Sequence, residues 1–230
     1  IHIGAYGRDL PLGQDLPALL SRLCQLDGLC RLRLGSVEPQ QIDDALLAAI
    51  AGEPKICHHI HIPLQSGADR VLKAMGRRYD TRQYAELIAR LRAALGDFAL
   101  TSDVIAGFPG ESEEDHQAGL DFCRKVGFAR LHIFPYSRRK GTPAAELPGQ
   151  IPQAVKARRA AELSACAIDM RGEYMRRWLG RELDFLAEEQ VETEAGVYWR
   201  GHSGNYLPLL LPGATHPGAG LIPARAIAFA

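Results

Sequence analysis

The feature that most constrains the fold is a repeated alternation of strand-like and helix-like segments. Strand-like stretches begin near residues 31, 59, 99 and 129, and a segment with helical spacing lies between each pair. A parallel sheet built from βα units gives this order, because parallel strands need a crossover that is usually a helix. Counting a strand end at Ile1, we predict five strands, too few to close an eight-stranded barrel. The chain is therefore expected to be α/β, either an incomplete barrel or an open doubly wound sheet.

The pattern changes after Pro152. Residues 153–180 have helical periodicity, with these residues at intervals compatible with one face: Val155, Leu163, Cys166, Met170 and Trp178. From Arg181 onward, short β-rich runs are separated by glycine and proline, which predicts a small antiparallel β-barrel. The predicted organisation is a βα domain over residues 1–150, a long linking helix over 151–180 and a β-barrel module over 181–230.

Composition excludes several classes of protein. The formal net charge is zero, so nucleic acid or membrane binding would depend on local patches. The five cysteines are scattered, and no pair has C-x-x-C spacing, which fits a reducing cytoplasm better than a disulfide framework or a metal knuckle. The longest apolar runs are too short to span a membrane, so we expect a cytoplasmic protein with no membrane partner. The chain opens on "IHIGAYGRDL" without Met, and we expect a fragment that lacks an N-terminal part.

Polar residues follow each predicted strand. Glu38, Gln65, Asp103 and Ser137 lie at or near four successive strand ends. In parallel βα architectures ligands bind at the carboxyl ends of the strands, whereas a single polar turn needs no functional explanation. Four such turns together favour a shared polar rim around a binding site.

The turn "GFPGE" is the most informative of these strand ends. Gly107 and Gly110 flank Phe108-Pro109 and allow a backbone to approach a ligand closely. Ser112 with Asp115 predicts a capping box, which explains the nearby acidic residues structurally. Carboxylates at a helix start disfavour a polyphosphate but tolerate a ligand with positive charge and ribose hydroxyls. S-adenosylmethionine is such a ligand.

Five segments in order resemble the radical-SAM methylthiotransferases. They are "IHIGAYGRDL", "RLRLGSVEP", "HHIHIPLQSGADRVLKAMGRRYDTRQY", "TSDVIAGFPGESEED" and "LHIFPYSRRKGTPAAELPGQIP", and the module with "GHSGNYLPLLL" resembles the TRAM domain of that family. "IGAYGRD", "LGSVEP" and "RRYDTRQY" are most similar to the branch that acts on N6-threonylcarbamoyladenosine in tRNA. The branches acting on isopentenyladenosine or on a ribosomal protein are less similar.

The resemblance implies a partial radical-SAM βα barrel followed by a TRAM-like module, and S-adenosylmethionine as cofactor. It also implies two [4Fe-4S] clusters in a full-length enzyme, held by cysteine motifs that this sequence lacks. We therefore expect no cluster and no activity in this chain alone, and no catalytic residue is assigned. Carried over by position, the resemblance places these residues on the cofactor side: Ser36, Glu38, Gln65, Ser66, Asp103, Gly107, Phe108, Gly110, Glu111, Phe134, Tyr136 and Ser137.

Basic residues indicate contacts with tRNA phosphates. The first group is Arg70, Lys73 and Arg77, spaced as on one helical face, with Arg78 adjacent, and the second is Arg138, Arg139 and Lys140. Both follow strand ends, although such charges are usually only solvated. Residues 181–230 carry three arginines against six acidic residues, a net charge of minus three, which is unusual for an RNA-binding module. Their aromatic residues fit either an RNA surface or the core of a small barrel.

Two alternatives remain open from the residues alone. His59 and His61 form an H-x-H pair, and Asp103 and His132 lie on later strands, as the ligands of a metal-dependent βα-barrel hydrolase would. Alternating histidines also commonly fill a barrel interior. The second alternative is a non-catalytic half-barrel that holds RNA through its C-terminal module.

Overall fold

The computed structural model describes residues 3–11, 14–213, 215, 217–218 and 220–228. The α-helices are α1 (Leu16–Cys24), α2 (Asp44–Gly52), α3 (Asp69–Ala74), α4 (Thr81–Leu95), α5 (Glu113–Val126), α6 (Pro143–Glu146) and α7 (Gln153–Arg176). The strands are β1 (His59–His61), β2 (Ala99–Ala106), β3 (Arg130–Pro135), β4 (Glu182–Thr193), β5 (Gly196–Ser203), β6 (Pro208–Pro212) and β7 (Leu221–Arg225). Short 3₁₀ helices cover Ile3–Ala5 and Pro39–Gln41.

The first sheet is parallel, in the order β1-β2-β3, as the βα pattern predicts. The strand predicted near residue 31 is instead an extended segment with two isolated parallel bridges, Leu32 to Ile56 and Ser36 to His61. The ladder is interrupted where the facing chain turns tightly at Cys57, whose carbonyl accepts the N–H of His59 at 2.7 Å. The strand end predicted at Ile1 falls outside the described residues.

Alternation along the strands divides the sheet into an apolar face and a polar face. Ile60 and Leu100 are buried in the main core beneath the helices, while His59 and Thr101 lie between such positions on the other face. Helix α7 packs against β2, β3 and α5, and its residues 163, 166 and 170 join the same core. The predicted apolar face is confirmed at these three residues, whereas Val155 is half-buried outside this core and Trp178 lies beyond the helix and packs with a smaller cluster. The helix packs with the βα part of the chain.

Residues 182–225 form an antiparallel sheet in the order β6-β5-β4-β7. The antiparallel prediction is confirmed, and within the described part of the chain the hydrogen-bond ladders leave this sheet open, not closed into a barrel. Arg31 donates to the carbonyl of His202, and Arg33 donates to those of Ser203 and Gly204. These bonds fasten the module to the extended segment before β1.

Helix α3 is too short to carry all three basic residues that were predicted to share one of its faces. It ends at Ala74, and Gly76 follows with φ +72°, so Arg77 lies beyond the helix. A left-handed glycine just after a helix is a common stop signal, and it takes Arg77 off the face shared by Arg70 and Lys73. None of the described helices is long and apolar enough to cross a membrane.

Candidate functional site

The carboxyl edge of the parallel sheet gathers most of the predicted cofactor residues. Gln65 follows β1 and pairs with β2, because its N–H donates to the Asp103 carbonyl at 2.8 Å and its carbonyl accepts the N–H of Ile105 at 2.9 Å. Its backbone is left-handed, with φ +67°, which is uncommon for a residue other than glycine. Ser36, exposed, pairs with the end of β1 on the other side. The structure therefore brings Ser36, Gln65 and Asp103 to one edge.

Two buried tyrosines fix the backbone that leads to Gln65. The Tyr79 hydroxyl lies 3.0 Å from the carbonyls of Pro63 and Leu64, and the Tyr84 hydroxyl donates to the Ile62 carbonyl at 2.8 Å. Burial raises the pKa of both phenols, so each stays a neutral donor. Sequence reasoning missed this support, since nothing local to either tyrosine indicates which carbonyls it reaches.

The turn Gly107–Glu111, which we call the strand-edge turn, needs glycine at two positions. Gly107 has φ +73° and Gly110 has φ +80°, both in the left-handed region. The N–H of Gly107 faces both carboxylate oxygens of Glu111 at 3.3 Å, and the N–H of Gly110 donates to the Gly149 carbonyl at 2.9 Å. The predicted capping box of Ser112 and Asp115 follows directly and begins α5.

Glu111 forms a buried ion pair with Arg159 of α7. Nη1 of Arg159 lies 2.7 Å from Oε1 of Glu111 and 3.0 Å from its carbonyl oxygen, and the two side chains are each only 5% exposed. Burial raises the pKa of Glu111, while Arg159 and then His116 oppose that shift. The carboxylate predicted to face a cofactor is thus engaged within the protein, where it braces the strand-edge turn against α7.

Phe108 and Tyr136 also serve the packing of this region. Their rings meet edge to face with centroids 5.5 Å apart in a small cluster with Ala68 and Val71. Nζ of Lys156 donates to the Tyr136 carbonyl at 3.0 Å. A Cβ at Gly107 would collide with the Lys156 side chain, so α7 covers both turns at the ends of β2 and β3. Sequence reasoning treated α7 as a linker and so missed Lys156 and Arg159.

Other predicted cofactor residues differ in exposure. Phe134, at the end of β3, is 51% exposed, and Ser137 is exposed. Ser66 is buried, and its hydroxyl accepts the N–H of Ala68 at 3.3 Å, which is a local turn contact. Glu38 is half-buried and lies 3.6 Å from Arg77.

The polar face of the parallel sheet carries the histidines of the hydrolase alternative. His59 Nε2 and His61 Nδ1 lie 3.0 and 3.1 Å from the Thr101 hydroxyl, and His61 Nε2 is 3.4 Å from Asp103. Burial lowers the pKa of His59 to about 3, and Arg33 and His61 add to the shift. The residues that the structure describes contain no group of three or more His, Cys, Asp or Glu side chains that could hold a metal ion.

The predicted RNA contacts divide into paired and unpaired cations. Arg70 is bound to Asp115 and donates to the Gly110 carbonyl at 2.7 Å, while Arg77 faces Glu38. The remaining five are exposed and have no side-chain partner among the described residues: Lys73, Arg78, Arg138, Arg139 and Lys140. A phosphate would reach these five without breaking an existing ion pair.

Comparison with known proteins agrees with this fold. The model of the Radical SAM superfamily matches residues 2–123, which is more than half of the 230 residues. The chain is 38% identical over 215 residues to threonylcarbamoyladenosine tRNA methylthiotransferase MtaB of Bacillus subtilis, covering 93% of this chain and 48% of that protein.

Two other similar proteins are named for other substrates. The tRNA-2-methylthio-N(6)-dimethylallyladenosine synthase of Caldicellulosiruptor saccharolyticus is 37% identical over 187 residues, covering 81% of this chain and 40% of the relative. The ribosomal protein uS12 methylthiotransferase RimO of Lachnoclostridium phytofermentans is 39% identical over 193 residues, covering 84% and 44%. The chain thus spans about half the length of the curated relatives it matches. On the extent of the family match, it belongs to the Radical SAM superfamily.

Proposed function

We propose that this chain is the carboxyl-terminal half of a radical-SAM methylthiotransferase. The whole enzyme would replace the hydrogen at C2 of N6-threonylcarbamoyladenosine in tRNA by a methylthio group. The observation that carries the proposal is the extent of similarity to methylthiotransferases, which reaches 93% of this chain in one relative. Overall identity does not distinguish the substrate, because relatives named for other substrates are about as similar to this chain. The choice of substrate therefore depends on three segments, "IGAYGRD", "LGSVEP" and "RRYDTRQY".

The residues at the carboxyl edge fit S-adenosylmethionine. Glu38 and Asp103 supply carboxylates suited to an ammonium, a sulfonium or ribose hydroxyls, and Phe134 offers an exposed aromatic surface for an adenine. Gln65 and Gly110 have left-handed backbone at this edge, and a Cβ added at Gly110 would meet nothing within 4 Å, so a ligand can approach this turn closely. When bound, S-adenosylmethionine supplies radical chemistry. The role we assign to this chain is to bind and orient that cofactor.

The cysteines of this chain do not fit an iron-sulfur cluster. Cys24, Cys57, Cys123 and Cys166 are buried and Cys30 is exposed, and the described part of the chain holds no group of three or more His, Cys, Asp or Glu side chains that could bind a metal. A cluster needs several thiolates converging on one position. We propose that the ligands of the cluster belong to a part of the enzyme outside this chain.

Exposed cations near the carboxyl edge support a tRNA partner. Arg138, Arg139 and Lys140 follow β3 directly, next to the proposed cofactor site, and Lys73 and Arg78 flank the end of α3. We propose that these five residues contact tRNA phosphates, which fix orientation without reading sequence. Arg70 and Arg77 would first have to exchange Asp115 and Glu38 for phosphate.

The test uses the full-length protein, reconstituted anaerobically and supplied with reductant, S-adenosylmethionine and a sulfide source. Three substrates are compared: tRNA with N6-threonylcarbamoyladenosine, tRNA with isopentenyladenosine, and ribosomal protein uS12. We expect a methylthio mass increase on the first only, detected by mass spectrometry of digested nucleosides or peptides. A product on either of the others instead would overturn the substrate assignment, and no product on any would overturn the proposed reaction.

A further inference from the structure

A cavity lies away from the strand-edge turn. It has a volume of about 110 Å³ and lies between the polar face of the parallel sheet, α7 and the C-terminal module. Its polar lining includes Thr101, Arg130, Arg171, His202 and Tyr206. Arg130 is the first residue of β3 and lies opposite Thr101 in the register. Thr101 precedes the end of β2 by five residues, which corresponds to roughly 17 Å of strand.

The two arginines are the strongest charges in this cavity. Neither guanidinium has a hydrogen-bond or ion-pair partner among the residues that the structure describes, whereas the nearby Arg31 and Arg33 are both bonded to carbonyls. Arg130 comes from β3 and Arg171 from α7, so the two cations belong to different elements. Each guanidinium offers five N–H donors in a planar fork. Both residues are exposed where they line the cavity, so their positive charge is available to a ligand that enters from solvent.

His202 and Tyr206 form part of the aromatic lining of the cavity. Nδ1 of His202 lies 3.0 Å from Glu188, the carboxylate that faces this histidine, and its ring stacks on Tyr206 with centroids 5.1 Å apart. Tyr206 in turn stacks on His59 at 4.4 Å and has a left-handed backbone with φ +64°. Such a backbone at a residue other than glycine persists where the surroundings fix it. His202 and Tyr206 are therefore held in place by ring stacking.

We infer that this cavity, the arginine cleft of Arg130 and Arg171, binds one phosphate group. A volume of about 110 Å³ has room for three to four waters at roughly 30 Å³ each, a size that suits one phosphate. Guanidinium forks match phosphate oxygens in pairs, and two forks from different elements contact different edges of a tetrahedral anion. The phosphate comes either from free inorganic phosphate or from an RNA backbone. The inference does not depend on the proposed reaction.

The first experiment measures inorganic phosphate binding to the chain by isothermal titration calorimetry. Wild type is compared with R130Q/R171Q and with the matched control R22Q/K125Q, which removes two exposed cations outside the cleft. We expect phosphate to bind wild type and the control equally and R130Q/R171Q at least about 10-fold more weakly, since a hydrogen bond to a charged group contributes roughly 1.5–3 kcal/mol. Equal affinity in all three proteins would overturn the assignment.

A thermal shift measurement on wild type and R22Q/K125Q tests the site without using R130Q/R171Q, so its result does not depend on whether that variant folds. Phosphate stabilises many proteins weakly by exclusion from their surface, so the control variant defines that background. Specific binding adds a concentration-dependent rise in Tm to wild type and to R22Q/K125Q. A wild-type response that phosphate and chloride produce equally, at matched ionic strength, would also overturn the site.

A second arm identifies the source of the phosphate. A tRNA anticodon stem-loop is titrated at several salt concentrations into wild type and R130Q/R171Q. If the cleft takes an RNA phosphate, the slope of log affinity against log salt falls by about two units in the variant. Free phosphate then competes with RNA on wild type only. If free phosphate is the ligand, RNA binding is unchanged while calorimetric binding of phosphate is lost.

Discussion

Replacing Arg159 by methionine should strongly destabilise the protein, because it leaves a buried carboxylate without its cation. Arg159 donates to Glu111 at 2.7 Å and to the Glu111 carbonyl at 3.0 Å, and its Nη2 reaches Glu113 at 3.0 Å. Without it, the hydrogen-bond donor left to the Glu111 carboxylate within the described part of the chain is the Gly107 N–H, at 3.3 Å from each oxygen. Breaking a buried pair by removing one partner costs about 3–5 kcal/mol. We expect a loss of that size in the free energy of unfolding.

The pair can be separated from the packing of its side chains by a double-mutant cycle. E111Q removes the charge but leaves Arg159 bonded to Glu113 and to the carbonyl of residue 111. E111Q should therefore cost less than R159M, and the double variant should cost less than the sum by about 0.5–3 kcal/mol, the range found for residues in direct contact. Urea unfolding of the four proteins gives all the terms.

Two controls sharpen this prediction. Arg158 is the exposed neighbour of Arg159 on α7 and also pairs with Glu113, so R158M should be far less destabilising. In R159M the unpaired Glu111 should have a still higher pKa and take up a proton. The native state then binds more protons than the unfolded state, and the cost of R159M should shrink as the pH falls. Additive single effects, or a cost equal to that of R158M, would refute the claim that the strand-edge turn depends on this ion pair.

Three further predictions concern stability and RNA binding. The pKa of His59 is lowered to about 3 from 6.5, so the stability that neutral His59 contributes is complete above pH 6.5 and is lost as the pH falls towards 3. H59F should therefore flatten this part of the curve of unfolding free energy against pH. An unchanged slope would contradict this prediction. G67A should lower the free energy of unfolding, measured in urea, by about 1–3 kcal/mol, because its Cβ would lie 2.9 Å from backbone atoms of Gly119. The control G52A should be nearly neutral, because its Cβ would meet nothing within 4 Å. Equal effects of the two substitutions would refute the close approach of Gly67 to Gly119. Replacing Arg138, Arg139 and Lys140 by glutamine should reduce the salt slope of tRNA binding by roughly three units in fluorescence anisotropy, and an unchanged slope would show that these residues are only solvated.

Local sequence signals predicted the individual elements well. The spacing of apolar residues in α4 and the capping box before α5 correspond closely to the structure, because both depend on residues a few positions apart. The same holds for the parallel β2 and β3 and for the antiparallel C-terminal sheet. Their apolar patterns are continuous and bounded by turn residues, which are short-range features.

Contacts between distant parts of the chain were not predictable in the same way. Arg159 and Glu111 are 48 positions apart, and the left-handed Gln65 is held by hydrogen bonds to residues 103 and 105 of β2, far along the chain. The strand expected near residue 31 has suitable residues, but its ladder depends on how the facing chain turns at Cys57. Arg70 illustrates the limit for function, since its sequence spacing indicated a phosphate contact and the structure gives it Asp115.

The central claim is that the strand-edge turn and Asp103 form part of an S-adenosylmethionine site. Its most direct test is 5′-deoxyadenosine formation by the reconstituted full-length protein carrying D103A or G110V. Gly110 has φ +80° with open space around it, so valine there disturbs the backbone conformation of the turn and the surface that we propose faces the cofactor, without a clash in the core. We expect both variants to retain their iron content and fold while losing at least about 10-fold in cleavage rate, which corresponds to the loss of one charged or main-chain contact. Wild-type rates in both variants would remove this turn from the cofactor site.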